Sequence, residues 1–596
     1  VTGPWPLIGR SEELALIAGA HSGMVISGTA GVGKTRLARE AMAARTHRHW
    51  IVGTASAQAI PLGAFADIAS DFGPDPLRRT REVIDALTAA GADTVIGVDD
   101  AHLLDDLSAF TVHQLVTRHL ATVILTIRTG APAPDAITAL WKDQHLPRLE
   151  LQPLSPADTT RLVEHLLGGP VHSFSVRQLW QLTQGNALYL RHLVDTEIAA
   201  GRMELRADVW LWNGHPQLSS TLADILSARI AQIPESVRGV LEALSVTEPL
   251  NVDVLSAVTD PDVLPDAETL GLITVDYSVR PAAVRLAHPM LGEVMRVESL
   301  RRQRLRGRIA TELVRSDSSD PRDLVRAAAL AVESDLPADA TLLSSAASAA
   351  LYLSDLKLAE LLAARAADAG GGAGAKLLQA TAIIWQERGA AAETVLGELA
   401  AEATGPARSE IAVLRAMNFA AALGNAARAE QELDAAEGHR DAPIAGALRA
   451  LIDLIRGRAA TAVDGARAVL AAEPEDDLAR ILSIWILVSG LGDLGRCDAV
   501  SAHVEAGYRL AETSAQVSHL RLPMVTLQCL AYRLGGALDR LDAALDRIRR
   551  DTIDVAFQQG WQGLFDGLGA MCRGRLDVAQ RALREAIAYT DSTGAG

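Results

Sequence analysis

Residues 24–45 decide the fold: Met24-Val25-Ile26-Ser27 is a short apolar run, Gly28-Thr29-Ala30-Gly31-Val32-Gly33-Lys34-Thr35 a glycine-rich turn, and RLAREAMAAR, from Arg36 to Arg45, a helix-forming run. Strand, glycine loop and helix in that order, with the spacing Gly28-x4-Gly33-Lys34-Thr35, match a phosphate-binding loop. Each residue type has a physical task there. Gly28, Gly31 and Gly33 let the backbone bend so that amides along Thr29, Ala30, Val32 and the start of the helix through Arg36 face an anion. The helix adds the positive end of its dipole. Lys34 is placed to neutralise β and γ phosphates, and the Thr35 hydroxyl to ligate Mg2+. Only Lys34, Lys142, Lys357 and Lys376 are lysines among 56 basic residues, so a lysine at this position is an informative letter. The bland reading, a glycine turn before a helix, explains the turn but not the Lys-Thr pair.

The run Thr94-Val95-Ile96-Gly97-Val98 ends in Asp99-Asp100, a buried strand that delivers two carboxylates at its C-terminal end. Such pairs also serve as helix caps. Beside the glycine loop, Asp99 is expected to hold Mg2+ through water, and Asp100 to orient or deprotonate a hydrolytic water. A third strand, Val123-Ile124-Leu125-Thr126, ends near Arg128, a cation placed to sense a γ-phosphate. Upstream, Gly9-Arg10 stands at a turn before a helix, and Glu12 suits the helix dipole equally well; capping and base contact are not separated by the residues there.

Composition bounds the rest. The chain has 596 residues, enough for about four domains at roughly 150 residues each. It carries 73 acidic against 56 basic residues, a net charge of −17, which argues against a chain whose main task is coating nucleic acid. Cys497, Cys529 and Cys572 are too few and too far apart for a disulfide framework or zinc knuckle. The apolar stretch from Ile481 to Gly492 is too short to cross a bilayer, which takes about 20 residues. VTGPWPLIGR has no secretory pattern. A cytoplasmic protein without a membrane partner is expected.

The ordered motifs LIGRSEEL, GTAGVGKT, VIGVDDAH, LTIRT, QGNALYL and VRLAHPML, spread over about residues 5–300, resemble the signal-transducing ATPases with numerous domains. Within that class the chain is most similar to the large LuxR-type regulators related to the maltose activator. The resemblance implies an α/β P-loop NTPase domain over 1–150, a helical lid over 151–215, a winged helix over 216–300 and an all-α tetratricopeptide-like superhelix over 321–596, while 301–320 reads as an Arg-rich linker helix from its own residues. It implies ATP/ADP and Mg2+ as ligands, slow ATP hydrolysis, self-association in the ATP state, and an inducer or protein partner on the repeats. By resemblance, His288 contacts the ADP β-phosphate; a histidine before a helix is also a common cap or core residue. The lid motif reads Gly185-Asn186-Ala187 where the family commonly has Gly-Asn-Pro. The repeats are followed by no helix-turn-helix pattern, so DNA contact is expected only through such a domain not present in this chain. Two other readings share these motifs: an AAA-like ATPase or chaperone with true turnover, and a nucleotide-bound scaffold for a kinase or cyclase module.

Beyond about residue 320, strand signals almost vanish and small residues punctuate Ala- and Leu-rich helices. Taking Ser354, Gly389, Gly424, Gly457, Gly495, Gly536 and Gly574 as equivalent turns gives a spacing near the tetratricopeptide period of about 34 residues. Alanines stand five residues after four of them, at Ala359, Ala429, Ala462 and Ala579, where paired helices need to approach closely. A generic helical bundle is the alternative. The five arginines Arg301, Arg302, Arg304, Arg306 and Arg308 lie on different helix faces, have no aromatic stacking partners and read as a solvated linker helix pairing with this acidic protein, not a nucleic-acid patch.

Overall fold

The computed structural model describes residues 5–593 apart from 59, 67, 69–75, 92, 213–215, 218, 232, 297–298, 317, 319, 437–441, 515 and 552–555. The first four residues of the N-terminal run and the expected lid boundary at 215 lie outside the described residues. The chain forms two compact units. One comprises Val1–Glu204, Trp210–Ala228 and His288–Met290; the other comprises Leu205–Val209, Arg229–Ala287 and Leu291–Gly596.

The first unit is built on five parallel strands, β1 (Gly23–Gly28), β2 (Arg48–Val52), β3 (Val95–Asp99), β4 (Thr122–Arg128) and β5 (Arg148–Glu150), in the order β2-β3-β4-β1-β5. Every residue of β1 and β3 is buried, as continuous apolar runs covered on both faces should be. Helices α1 (Ser11–Gly19) and α2 (Lys34–Met42) flank β1. Leu37, Ala38 and Met42 of α2 pack with Met24, Ile26 and Ile124 in one apolar cluster. The register sets Gly28 opposite Arg128, so the end of β1 and the end of β4 meet at the same edge. Ligands of open parallel sheets bind at that C-terminal edge.

Three further helices, Pro156–Leu167, Ser173–Thr183 and Ala187–Ala199, follow the sheet. Ser155 caps the first, with Pro156 in its first turn, as its sequence suggests. Glu197 in the third is fully buried yet satisfied: Arg202 Nε and Nη2 donate to it at 2.6 and 2.9 Å, Trp212 Nε1 at 2.8 Å and the Gln217 amide at 2.9 Å. Burial pushes its pKa up, but these donors outweigh burial and hold it below the usual carboxylate range.

In the second unit, Ile273–Asp276 and Ala283–Leu286 form an antiparallel hairpin, and Leu250–Asn251 adds a third strand to Ala283–Leu286. Helices Glu235–Val246, Val252–Val258 and Leu264–Thr269 precede the hairpin. In the Arg-rich helix, Leu300–Arg315, Arg301, Arg304 and Arg308 are exposed, as expected of a solvated helix, and Arg302 departs from that expectation. Arg302 is buried and donates to the Ser245 carbonyl at 2.9 Å and the Met295 carbonyl at 3.0 Å, and Arg308 reaches the Val258 carbonyl at 3.1 Å. Arg301 and Arg306 pair with Glu242 and Glu333. These guanidiniums supply hydrogen bonds to carbonyls at helix ends, which a helical period cannot reveal.

From Ala340 onward the described helices form successive antiparallel pairs, each packing on the next: Ala340–Tyr352 with Leu356–Ala366, and so on to Ala556–Cys572 with Leu576–Thr593. This is an all-α repeat region. The left-handed turn residues are Ser354, Gly424, Gly457, Gly495, Gly536 and Gly574, as read from the sequence, but the second is Glu387 and not Gly389. Gly389 instead opens the next helix, buried where a Cβ would press on Leu423. With Glu387 as origin, Ala392 joins Ala359, Ala429, Ala462 and Ala579 five residues after a turn, and all five are buried. Val500 and Leu541 hold the same offset in two other repeats.

Candidate functional site

The loop after β1 takes the backbone conformations its glycines allow. Gly28, Gly31 and Gly33 have φ of 158°, 81° and 105°, the last two in the left-handed region, and Gly33 caps α2. The first-turn amides of α2 have no carbonyl one turn earlier to bind, which leaves them for an anion. Lys34 is buried, and its Nζ donates to the Gly28 and Thr29 carbonyls at 3.0 and 2.8 Å, arching over the loop. Burial lowers its pKa, Asp100 and Asp99 oppose that, and Arg128 adds to it. A buried ammonium near another cation gains from an anionic partner.

Asp99 ends β3, buried, and its Oδ1 accepts from Thr35 Oγ1 at 2.9 Å and Thr126 Oγ1 at 2.6 Å. The two oxygen groups assigned to Mg2+ by sequence, on Thr35 and Asp99, are therefore adjacent. Hydroxyl and carboxylate oxygens suit a hard divalent cation that keeps several of its own waters. Asp100 follows in the left-handed conformation at φ 49°, and Thr126 Oγ1 accepts its amide at 2.9 Å. That turn separates the two acids: Asp99 faces Thr35, while Asp100 lines a cleft of about 550 Å³. The same cleft is lined by residues Ala30 to Arg36, Arg10, Arg128 and His102. Two buried nitrogens at its wall, Arg36 Nε and His102 Nδ1, have no hydrogen-bond partner among the described residues. Burial lowers the His102 pKa against the pull of Asp100, whose Oδ1 is 3.9 Å from Nδ1. The donor set fits a polyphosphate with its cation.

The remaining sequence-derived residues are placed as follows. Arg10 lines the cleft but is held by Glu13 at 2.8 Å and the Gln152 carbonyl at 2.6 Å. Gly9, at φ 71°, stands where a Cβ would run into Asp158, so it serves a close approach. Gly28 and Thr29 shape the loop and receive the lysine. Arg128 ends β4 at the cleft wall. His288 sits between Leu286 and the helix Pro289–Met295 and is not among the residues lining the cleft.

Three contributions go beyond the sequence reading, which named Asn186 only as part of the lid motif. Asn186 Nδ2 donates to the Ala30 carbonyl at 2.8 Å while its Oδ1 caps the helix Ala187–Ala199. The Leu188 amide donates to the Gly31 carbonyl at 3.1 Å, and a Cβ on Gly31 would sit 2.5 Å from Asn186 Oδ1. So Gly185-Asn186-Ala187 fastens the next helix onto the phosphate loop, with Ala187 and Arg191 in the cleft wall. The Gly-Asn pair before a helix was its only local signal. Thr126, which joins Asp99 to Asp100, and His102 are visible only once β3 and β4 are paired.

No family model matches the chain, and no curated protein matches it. Among solved structures, the chain is similar to a Signal Transduction ATPase with Numerous Domains protein with a tetratricopeptide repeat sensor from Pyrococcus horikoshii, at 15% identity over 100% of this chain and 94% of that one, with a TM-score of 0.33. Two single-residue variants of RuvB from Thermotoga maritima match at 12% and 13% identity, each over 46% of this chain and 92% of theirs, with TM-scores of 0.26 and 0.25. No helix among the described residues is long and apolar enough to cross a membrane.

Proposed function

We propose that the chain is an ATP/ADP-dependent signal-sensing switch of the LuxR-type regulator kind. The observation that carries this reading is the convergence of Lys34, Thr35, Asp99 and Asp100 at one sheet edge of a chain that also contains a long array of helical pairs. Loop amides and Lys34 hold the phosphates, and Thr35 and Asp99 place Mg2+, which neutralises charge on the β and γ oxygens. Asp100, in the cleft, orients water for slow hydrolysis that resets the switch. Arg128 reads the γ-phosphate, His288, by the resemblance, the ADP β-phosphate, and Arg10 borders the same cleft. Segment 151–215 acts as a lid, 216–300 as a winged helix, 301–320 as a linker, and 321–596 as the sensor for an inducer or protein.

Nucleotide shifts such a switch only through differential affinity: ATP has to bind the open state better than ADP does. The full chain is therefore expected to remain monomeric with ADP and to form larger assemblies with ATP and Mg2+, read by size-exclusion chromatography with light scattering. The same mass in both nucleotides would contradict the switch. Turnover at many cycles per second, without change of mass, would favour the AAA-like motor instead.

A further inference from the structure

The turn after β3 fixes one part of Asp100 and leaves the other loose. Thr126 Oγ1 accepts the Asp100 amide at 2.9 Å, and the Leu103 amide donates to the Asp100 carbonyl at 2.8 Å. The main chain is thereby held on both sides of the residue, in the left-handed conformation at φ 49°. The carboxylate has no such support. It is 47% exposed and makes no hydrogen bond among the described residues. The χ2 torsion of an aspartate has broad wells, so an unsupported carboxylate samples many directions. Orienting a water needs one of them.

A donor stands close by. The short helical turn Ala101–Leu103 carries His102 back beside Asp100, with Nδ1 3.9 Å from Oδ1. That nitrogen is enclosed and has no hydrogen-bond partner among the described residues. Both side chains line the cleft that also holds Lys34, Thr35 and Arg128. A buried imidazole nitrogen left unpaired is unfavourable, and the neighbouring carboxylate selects the tautomer with the proton on Nδ1. With Nδ1 enclosed, its partner has to come from the protein and not from a bound group. The separation exceeds a hydrogen bond by about 1 Å, within reach of a small rotation of the Asp100 side chain. Hydrogen bonds of this kind are often long before the reactants bind and shorten in the reacting complex. A polyphosphate and its cation in the cleft displace water from around Asp100, which strengthens the pull of the N–H.

We propose that His102 is a positioning residue for hydrolysis: its Nδ1–H binds Asp100 Oδ1 in the ATP complex and turns Oδ2 toward the attacking water. The inference rests on the reading of Asp100 as the residue that orients that water. Water adds to the γ-phosphorus as the bond to the β–γ bridging oxygen breaks, leaving ADP and phosphate, and His102 keeps its proton throughout. Because it acts through Asp100, His102 sets the rate and not the affinity.

The test is phosphate release by the full chain at saturating ATP and Mg2+, with changes at 100 and 102 made singly and together. His102→Phe keeps a ring and His102→Leu a smaller apolar side chain. Both lose the N–H and are expected to lower kcat about tenfold, with the KM for ATP and the Kd for ADP within about twofold of the wild type. His102→Asn retains an N–H near the place of Nδ1 and is expected to stay within about threefold. Asp100→Asn is expected to lower kcat about 100-fold, and His102→Phe added to it to change nothing further, because the pair acts as one unit. Wild-type kcat in His102→Phe and His102→Leu would overturn the inference. So would a loss of about tenfold that persists on top of Asp100→Asn, or an equal loss in His102→Asn, the pattern of a purely structural histidine. Turnover lowered by Asp100→Asn but untouched by changes at 102 removes His102 alone and leaves the switch reading standing. Turnover unchanged in Asp100→Asn, or wild-type turnover no faster than that of Lys34→Ala, removes the role of Asp100 and this inference with it.

Discussion

Lys34→Ala is expected to lower the affinity for ADP and ATP at least about 100-fold. Its ammonium is buried beneath the loop, where a charge-assisted hydrogen bond is worth about 1.5–3 kcal/mol. In the bound state it contacts phosphate oxygens in a desolvated cleft, so losing two such contacts costs about 3–4 kcal/mol, between two and three powers of ten in Kd. The fold is expected to survive, because among the described residues Nζ touches only the Gly28 and Thr29 carbonyls of its own loop. Calorimetry with ADP and Mg2+ reads the effect. A Kd within threefold of the wild type would show that the phosphates lie elsewhere.

Asp99→Asn carries the second large effect, and it separates metal from nucleotide. The amide oxygen of asparagine still accepts from Thr35 and Thr126, whose donors both reach Oδ1, so the end of β3 keeps its geometry. The negative charge is lost, and with it the partner of Mg2+. Nucleotide affinity in EDTA is expected to stay within about threefold of the wild type, while the gain from Mg2+ vanishes and turnover falls at least about 100-fold. Full Mg2+-dependent hydrolysis by this variant, followed by phosphate release, would remove Asp99 from the cation site. Asp100 does not hold the same place, since the Thr35 and Thr126 hydroxyls both donate to Asp99 Oδ1 while Asp100 follows in a left-handed turn at φ 49°.

What the sequence made legible follows from the range of the interactions involved. The glycine loop, the strand ending in Asp99-Asp100 and the paired helices are local patterns, fixed by backbone conformation and by hydrophobic period. Ser354 and the glycines at 424, 457, 495, 536 and 574 betray left-handed turns by residue type, whereas Glu387 takes the same conformation without advertising it. Its neighbour Gly389 drew attention and proved to be a packing glycine against Leu423. Longer-range pairings left no local trace. Asn186 reaches Ala30 across 156 positions, and Thr126 joins Asp99 across 27. Arg302 looked like one of several surface arginines, but its position beside the Ser245 and Met295 carbonyls is set by packing between helices, not by spacing. Trp385 meets Trp485 across 100 positions and His519 across 134, each residue unremarkable alone.

The account's central claim is that phosphate oxygens rest on the amides from Gly31 to Arg36. Hydrogen–deuterium exchange of the full chain, with and without saturating ADP and Mg2+, reads those amides directly. Exchange across this segment is expected to slow at least about tenfold on adding nucleotide, because amides that first faced solvent then donate to an anion. Unaltered exchange at residues 31–36, with ADP demonstrably bound to the protein, would contradict it.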